Sequence, residues 1–597
     1  MSKLIDSRVL RAPEDLAVNP TPPKRVLIVG SCLSEGFANR MKHLPVPCES
    51  DLFLLGQPID VLPRPLEDYD FQIVQLALRF VLPDMAFAKL KDSDLAAHER
   101  LFDHAVGTMR QHLERAMLWN RDRGILTFVF SFLAPVQNPV GRLLPRYDLR
   151  NPVYFVERLN EQLAADLREY KNAYLFDIND MASYFGRRFV QDDVVTAMNH
   201  GAFISNYDFN HDSQRLEPSD KATDLFEERV WPFFQASWQE LVSMYRTVRQ
   251  ADAVKLVVID LDDTLWRGIS AELDPEQFPT SEGWPKGFWE ALAFLKRRGV
   301  LLAIVSKNDE QRVRSFWDKI LRGQLKLDDF AVVQINWDPK PQNMAEVLAK
   351  VNLLPRNVVY IDDNPVERAA IKEAFPEIRV LGGSPITWRR ILLWSPETQV
   401  AEITDESSKR TEMVRAQVVR EGERKKLSRE EFLATLEVKL NLFEVSSPED
   451  AKFARVFELI NKTNQFNTTG RRWTHEECVK AMQGGLRILA FDVADKFTEY
   501  GLVGVILLSE ARIEQFVMSC RVLGLEVEIA AIAELCKRWH ESGAVTASAA
   551  FVETEKNLPC RDLYSRSGFS KVEQGWQRDL RVTLPIPSHV TISVDLR

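Results

Sequence analysis

Residues 254–259 read VKLVVI and run straight into Asp260-Leu261-Asp262-Asp263-Thr264. A short run dominated by Val, Leu and Ile predicts a strand buried on both faces, the habit of a parallel sheet covered by helices. In such a sheet ligands bind at the carboxyl ends of the strands. Paired carboxylates just past a strand therefore stand where a ligand would sit. Asp260 can attack phosphorus and form an aspartyl-phosphate. Asp262, two residues on, can protonate the leaving oxygen and then take a proton from water. A hard cation such as Mg2+ offsets the repulsion between carboxylate and phosphate.

Three further strand ends carry complementary groups, in order along the chain. Ser306 ends LLAIVS, Lys340 follows in NWDPK, and Asp362-Asp363 close NVVYI. Intervals of 46, 34 and 22 residues separate Asp260, Ser306, Lys340 and Asp362, each room for one helical crossover. A calcium loop fails as an alternative, because position six counted from Asp260 is Leu265 where an EF-hand needs Gly. Together DLDDTLW, SKND, NWDPK and IDDNPVER resemble the haloacid dehalogenase-like superfamily of phosphatases, over roughly 254–395. The resemblance implies Asp260 as nucleophile, Asp262 as acid/base, and Ser306, Lys340 and Thr264 as phosphoryl ligands. It also implies Mg2+ held by the Asp260 carboxylate, the Asp262 carbonyl and Asp363. The intervals leave no room for an inserted lid domain. The pocket is therefore expected to be open, or roofed by a neighbouring domain or partner, and suited to a substrate tethered to something large.

At about 150 residues per domain, the 597-residue chain predicts three to five modules. A net charge of −9 with no basic block argues against sequence-independent nucleic-acid binding. The cysteines at 32, 48, 478, 520, 536 and 560 include no C-x-x-C pair, so neither a disulfide framework nor a zinc knuckle is expected. The opening MSKLIDSRVLRAPED has no apolar core of a secretory leader. Apolar stretches such as ILTFVFSFLAPV fall short of the roughly 20 residues of a bilayer span. These features predict a soluble, cytoplasmic protein without a membrane partner. Alternating strand and helix signals predict an α/β multidomain chain. The expected divisions are an α/β domain over 1–245, a second over 250–395, a charged helical linker over 396–430 and an α+β module over 431–597.

In the last block, the strand IEQFVMSC leads into Arg521-Val-Leu-Gly524-Leu-Glu526 and then a helix. A turn feeding a helix amino terminus presents N–H groups to a pyrophosphate. The pattern resembles the R-x-x-G-x-G/A loop of GNAT-like acyltransferases, and Asn557 with Tyr564-Ser-Arg-Ser-Gly568-Phe569 resembles the ending of that fold. The resemblance implies that Arg521, Gly524, Asn557 and Tyr564 bind a phosphopantetheine arm or coenzyme A. Glu526 puts bulk and negative charge where phosphate would sit, which favours a carrier-borne arm over free coenzyme A. With NKTNQFNTTGRRWT (461–474) and MSCRVLGLEVE (518–528), the phosphatase motifs resemble the FkbH-like family over roughly 250–597. That resemblance implies loading of a glyceryl unit from 1,3-bisphosphoglycerate onto an acyl carrier protein, by way of an enzyme cysteine. Cys520 is one candidate for that cysteine.

The other candidate is in the first domain. Gly30-Ser31-Cys32-Leu33-Ser34-Glu35-Gly36 follows the first strand and resembles the G-D-S-L-S-x-G block of SGNH/GDSL hydrolases, with Cys32 at the nucleophile position. Asp208-Phe209-Asn210-His211 resembles the block that supplies their base, and Asn138 is a candidate oxyanion donor. His200 is an alternative partner for the thiol. A thiolate beside an imidazole is an activated nucleophile and a natural acceptor for an acyl group. The expected function is dephosphorylation of a phosphorylated three-carbon acyl donor and transfer of its glyceryl group to a carrier thiol. A phosphatase–acyltransferase that modifies a sugar is the enzyme alternative, and a carrier-docking scaffold the non-enzyme one.

Overall fold

The first strands of the chain place consecutive residues on opposite faces of one sheet. In β1 (Arg25–Gly30), β3 (Phe71–Val74) and β4 (Thr127–Phe130), residues Ile28, Ile73 and Phe128 join one core while Val29, Val74 and Val129 join another. Both faces are apolar, so both must be covered. Helices Cys32–Met41 and Val230–Arg249 pack on one side, and Leu95–Ala116 and Pro152–Asp166 on the other. With β2 (Glu49–Leu54) and β5 (Ala173–Phe176) the sheet is wholly parallel, in the order β2-β1-β3-β4-β5. This doubly wound arrangement opens a crevice at the carboxyl ends of its central strands.

This is a computed structural model, and it describes every residue except 1–11, 19, 21, 45–46, 58, 60, 84, 192–202, 213, 251, 271, 273–280, 405–408, 425–428, 464–465, 555–556, 574 and 596–597. The chain divides into two units, Met1–Ala253 with Thr387–Ala401, and Val254–Ile386 with Glu402–Arg597. Residues 387–395, expected in the second domain, thus belong with the first. There Glu397 forms an ion pair with Arg246, and the Gln250 side-chain amide donates to the Gln399 carbonyl at 2.9 Å.

In the second unit, β6 (Leu256–Ile259), β7 (Leu301–Lys307), β8 (Val332–Asn336), β9 (Val358–Ile361) and β10 (Arg379–Leu381) form a parallel sheet ordered β10-β9-β6-β7-β8. β6 is central, and all four of its residues are buried. The helix Arg410–Arg424, expected as a solvated linker, lies against this sheet's core through Val414 and Val418, and its Met413 is buried. Its charges also find partners. Arg410 donates to the Gly299 carbonyl at 2.9 Å, and Arg415 pairs with Asp328 at 2.7 Å. Charge density concealed an apolar stripe.

The rest of the unit is a mixed sheet of β11 (Val438–Val445), β12 (Arg487–Ala494), β13 (Glu499–Ser509), β14 (Arg512–Met518), β15 (Thr546–Ala549), β16 (Ser570–Val572), β17 (Gly575–Asp579) and β18 (Val590–Asp595), ordered β16-β17-β15-β14-β13-β12-β11-β18. Helix Val527–Glu541 buries most of its length against it. Among the described residues, no helix is long and apolar enough to cross a membrane.

Candidate active site

Asp260 ends the central strand β6, and its backbone N–H donates to the Ile361 carbonyl of β9 at 3.0 Å. The next residues make one tight turn. Thr264 and Leu265 both donate backbone N–H to the Leu261 carbonyl, at 3.2 and 2.7 Å. Asp263 takes a left-handed φ of 50°, and its carboxylate accepts from the Gly268 N–H at 2.6 Å. Leu261 is fully buried, whereas Asp262 keeps part of its surface.

The other strands deliver their groups to Asp260. Lys340 opens the helix after β8, and its Nζ lies 3.0 Å from Asp260 Oδ1 and 2.6 Å from Asp362 Oδ2. Ser306, on β7, hydrogen-bonds the Asp260 carboxylate. Asp362 also accepts from the Tyr360 hydroxyl and, at 2.8 Å, from the Asn364 N–H. Asp260 is 7% exposed, Lys340 3% and Asp362 0%, so these charges act on one another with little screening. Burial raises the Asp260 carboxyl to about 6, with Asp362 adding to the rise while Lys340 and Ser306 oppose it. Burial works against the Lys340 ammonium, but Asp260 and Asp362 outweigh it and hold the group above its ordinary range. Burial, Asp362 and Asp263 likewise raise Asp363.

Lys340 is therefore shared by Asp260 and Asp362, with Asp363 beside them. Each of the three carboxylates offers an oxygen, and these lie within 4.8 Å of one another. A compact all-oxygen donor set short of positive charge fits a hard divalent cation such as Mg2+. The carboxylate cluster contains both expected carboxylate ligands, Asp260 and Asp363, and adds Asp362 to them. Asp362 already holds Lys340, Tyr360 and Asn364, which leaves Asp260 and Asp363 with more accepting capacity.

Thr264, expected to hold phosphate, is fully buried and serves Asp363 instead. Its hydroxyl accepts from the Asp363 N–H at 3.1 Å and lies 3.3 Å from Asp363 Oδ1. Asp262 is gripped by groups that the sequence reading passed over: Trp266, Ser270 and Asn308. Asn308 stands inside the SKND motif, two residues past Ser306, and that spacing was the available signal. Tyr360 was legible in the same way, two residues before Asp362 along β9.

The thiol candidates fare differently. Cys32 is the first residue of helix Cys32–Met41 and Cys520 begins a single turn, Cys520–Val522, but both side chains lie outside the described residues, as does His200. His211 is exposed at the end of helix Tyr207–His211. Asn138, the candidate oxyanion donor, has both ends of its amide engaged locally. Its amide donates to the Gly141 carbonyl at 3.0 Å and accepts from the Val140 N–H at 3.1 Å, closing its own turn.

In the eight-stranded sheet, parallel strands β14 and β15 pair only at Arg512–Ser548 and Ile513–Ala549. Beyond that point the gap holds the chain's own segment 466–468. Met518 donates to the Phe466 carbonyl at 3.0 Å, Thr468 to the Phe516 carbonyl at 3.0 Å, and Val552 to the Thr468 carbonyl at 2.9 Å. Asn557, expected to bind pantetheine, is fully buried and ties this segment down. Its amide donates to the Asn467 carbonyl at 3.1 Å and the Val552 carbonyl at 2.9 Å. Tyr564 is 1% exposed, within the core. Gly524 is exposed at φ 86°, and Arg521 reaches the Met413 sulfur at 3.4 Å. The helix that follows buries Glu528 in its first turn, 3.2 Å from Arg566, and burial raises the Glu528 carboxyl above its ordinary range while Arg566 opposes the rise.

An open parallel sheet with a carboxylate, a lysine and a hydroxyl converging at its carboxyl edge defines a hydrolase-type α/β domain. Residues 276–374 match the family model described as haloacid dehalogenase-like hydrolase. A haloacid dehalogenase-like hydrolase domain thus lies in the C-terminal half of this chain. No curated protein matches the chain. Among solved structures, the N-terminal part of BF1531 from Bacteroides fragilis, which contains a phosphatase domain complexed with Mg, is 18% identical, with a TM-score of 0.42, covering 67% of this chain and 98% of its own. The 3-deoxy-D-manno-octulosonate 8-phosphate phosphatase from Moraxella catarrhalis is 18% identical, with a TM-score of 0.20, covering 26% and 93%.

Proposed function

We propose that the protein is a Mg2+-dependent phosphatase that removes phosphate from a phosphorylated three-carbon acyl donor and couples this to acyl transfer. The observation that carries the phosphatase reading is the buried Asp260 carboxylate set against Lys340 Nζ and the Ser306 hydroxyl, beside Asp363. Asp260 attacks phosphorus. Lys340 and Ser306 lie where they can hold the phosphoryl oxygens, and Asp262 protonates the leaving oxygen before accepting a proton from the water that hydrolyses the aspartyl-phosphate. Mg2+, held by Asp260 and Asp363, would neutralise charge on the transferring phosphoryl group.

The finer assignment rests on the FkbH-like resemblance: a 1,3-bisphosphoglycerate-like donor and delivery of the glyceryl group to an acyl carrier protein thiol, with Cys32 or Cys520 as the relay. A sugar acceptor is the second reading. The observation behind it is that Asn557 and Tyr564, two of the residues expected to bind a pantetheine arm, are buried within the eight-stranded module, Asn557 tied to Asn467 and Val552. Phosphate release from the donor with Mg2+ and with EDTA, combined with the intact mass of a holo carrier protein, tests both. A glyceryl adduct on the carrier supports the first reading. Phosphate release without any carrier adduct leaves the phosphatase standing and removes the carrier. No metal-dependent phosphate release from any phosphomonoester or acyl phosphate overturns the phosphatase itself.

A further inference from the structure

Four hydrogen bonds hold the Asp262 carboxylate, and they divide unequally between its oxygens. Oδ1 accepts from the Trp266 indole N–H at 3.0 Å and the Ser270 backbone N–H at 3.0 Å. Oδ2 accepts from the Asn308 amide at 3.0 Å and the Ser270 hydroxyl at 3.2 Å. Trp266, Ser270 and Asn308 are all buried. The Asn308 amide has a defined orientation, because its oxygen accepts from the Asp309 N–H at 2.9 Å and its nitrogen also donates to Ser270 Oγ at 2.7 Å. Arg312 Nε holds the Ser270 carbonyl at 2.9 Å.

Indole, backbone and amide N–H groups can only donate, whereas a hydroxyl can also turn and accept. Oδ1 faces two fixed donors and has no place for a proton. Oδ2 faces one fixed donor and one that can turn away. We propose that Ser270 and Asn308 are positioning residues that make Oδ2 the proton-carrying atom of Asp262, the Ser270 hydroxyl releasing Oδ2 whenever the proton is on it. The proposal rests on the phosphatase reading above. In the first step the Asp260–phosphorus bond forms, the phosphorus–oxygen bond of the substrate breaks, and the Oδ2 proton passes to the departing oxygen. In the second, water adds to phosphorus, its proton returns to Oδ2, and Asp260 is released as carboxylate. The Ser270 hydroxyl donates to Oδ2 only between these two transfers.

Leaving-group dependence separates this role from a merely structural one. An alkoxide must be protonated as it leaves, whereas p-nitrophenolate needs no proton. General-acid help is typically worth about 100- to 10,000-fold, so mispositioning it is expected to cost roughly 10- to 100-fold. The experiment measures kcat/KM with Mg2+ for β-glycerophosphate and for p-nitrophenyl phosphate, in the full chain and in Ser270→Ala and Asn308→Ala. That ratio reports steps up to aspartyl-phosphate formation. The expected result is a loss of roughly 10- to 100-fold on the alkyl phosphate, with p-nitrophenyl phosphate within about threefold, and no further loss when either change is added to Asp262→Asn. Equal losses on both substrates, or additive losses in the Asp262→Asn background, overturn the proposal. If Ser270→Ala does not fold, Asn308→Ala decides alone, since it leaves the Ser270 backbone contact in place. The phosphatase reading has its own control: wild type active on both substrates and Asp260→Asn on neither. Inactive wild type overturns that reading, and the role assigned to Ser270 and Asn308 with it.

Discussion

The second unit contains two parts whose sequences carry comparable polar motifs, and they treat those motifs in opposite ways. At the edge of the parallel sheet, Asp260 and Asp363 stay short of partners, with Lys340 shared between two carboxylates. In the eight-stranded sheet, Asn467, Thr468, Gln515 and Asn557 are all buried and hydrogen-bonded to one another or to nearby backbone. Buried polar groups cost stability unless satisfied. A cluster that satisfies itself is therefore a staple, whereas one left with excess charge is a seat for something charged. Density of Asn, Thr and Gln in a sequence does not distinguish the two; what each side chain faces does.

The sharpest way to break this contrast is to remove one group from each part. Asp260→Asn is expected to lower phosphate release by at least about 1,000-fold, since no residual nucleophile remains. Asn557→Ala is expected to leave kcat/KM for phosphate release within about twofold in the folded fraction. A phosphate-release assay in which Asn557→Ala matches Asp260→Asn would mean the two parts work as one site.

A change behind the seat should act through the metal. Thr264→Val removes the hydroxyl that steadies Asp363, and the Mg2+ concentration for half-maximal activity is expected to rise roughly 10- to 100-fold. A metal titration with an unchanged midpoint would take Asp363 out of the cation's surroundings.

Stability should show the reverse pattern. Asn557→Ala leaves the Asn467 and Val552 carbonyls and the Thr554 N–H without their partner, and a loss of about 1–3 kcal/mol is expected in urea unfolding. Loss of less than a few tenths would show that this cluster is not a staple. The smallest expected effect has the opposite sign. Asp260 is raised to about 6, so the folded state holds its proton more tightly than the unfolded chain does. Its effect on stability is favourable at low pH, and is lost as pH climbs from the ordinary carboxylate range to about 6. In Mg2+-free buffer at pH 7, Asp260→Asn is therefore expected to be more stable than wild type by about 1 kcal/mol, the gain fading toward pH 4. Thermal melts that show Asp260→Asn less stable at pH 7 would reverse that sign.

Much of the parallel sheet was readable from the residues alone. Apolar runs ending in Asp260, Ser306 and Asp362 mark strands by composition and mark their carboxyl ends by the abrupt change to polar residues. Lys340 was readable too, because one crossover separates each strand end from the next. The helix Arg410–Arg424 was not, since its charges outnumber Met413, Val414 and Val418 and only a packed neighbour reveals which side is apolar. The expected roles of Thr264, Asn138 and Asn557 rested on motif position, and each of these side chains turned out to hold a nearby carbonyl, N–H or carboxylate.

What the amino-acid order determined by itself was local: strand ends, crossovers and the residue types that reach the sheet edge, because these follow from hydrophobic period and from connection length. Which polar groups meet one another depends on residues far apart in sequence, and only the tertiary structure decided it. Asp260 finds Lys340 80 residues on and Asp262 finds Asn308 46 residues on. Segment 466–468 meets Val552 across a gap that exists only because β14 and β15 diverge. A side chain's chemistry is set by the charges and donors around it. Those neighbours are assembled by packing, on which a single strand's sequence carries no information.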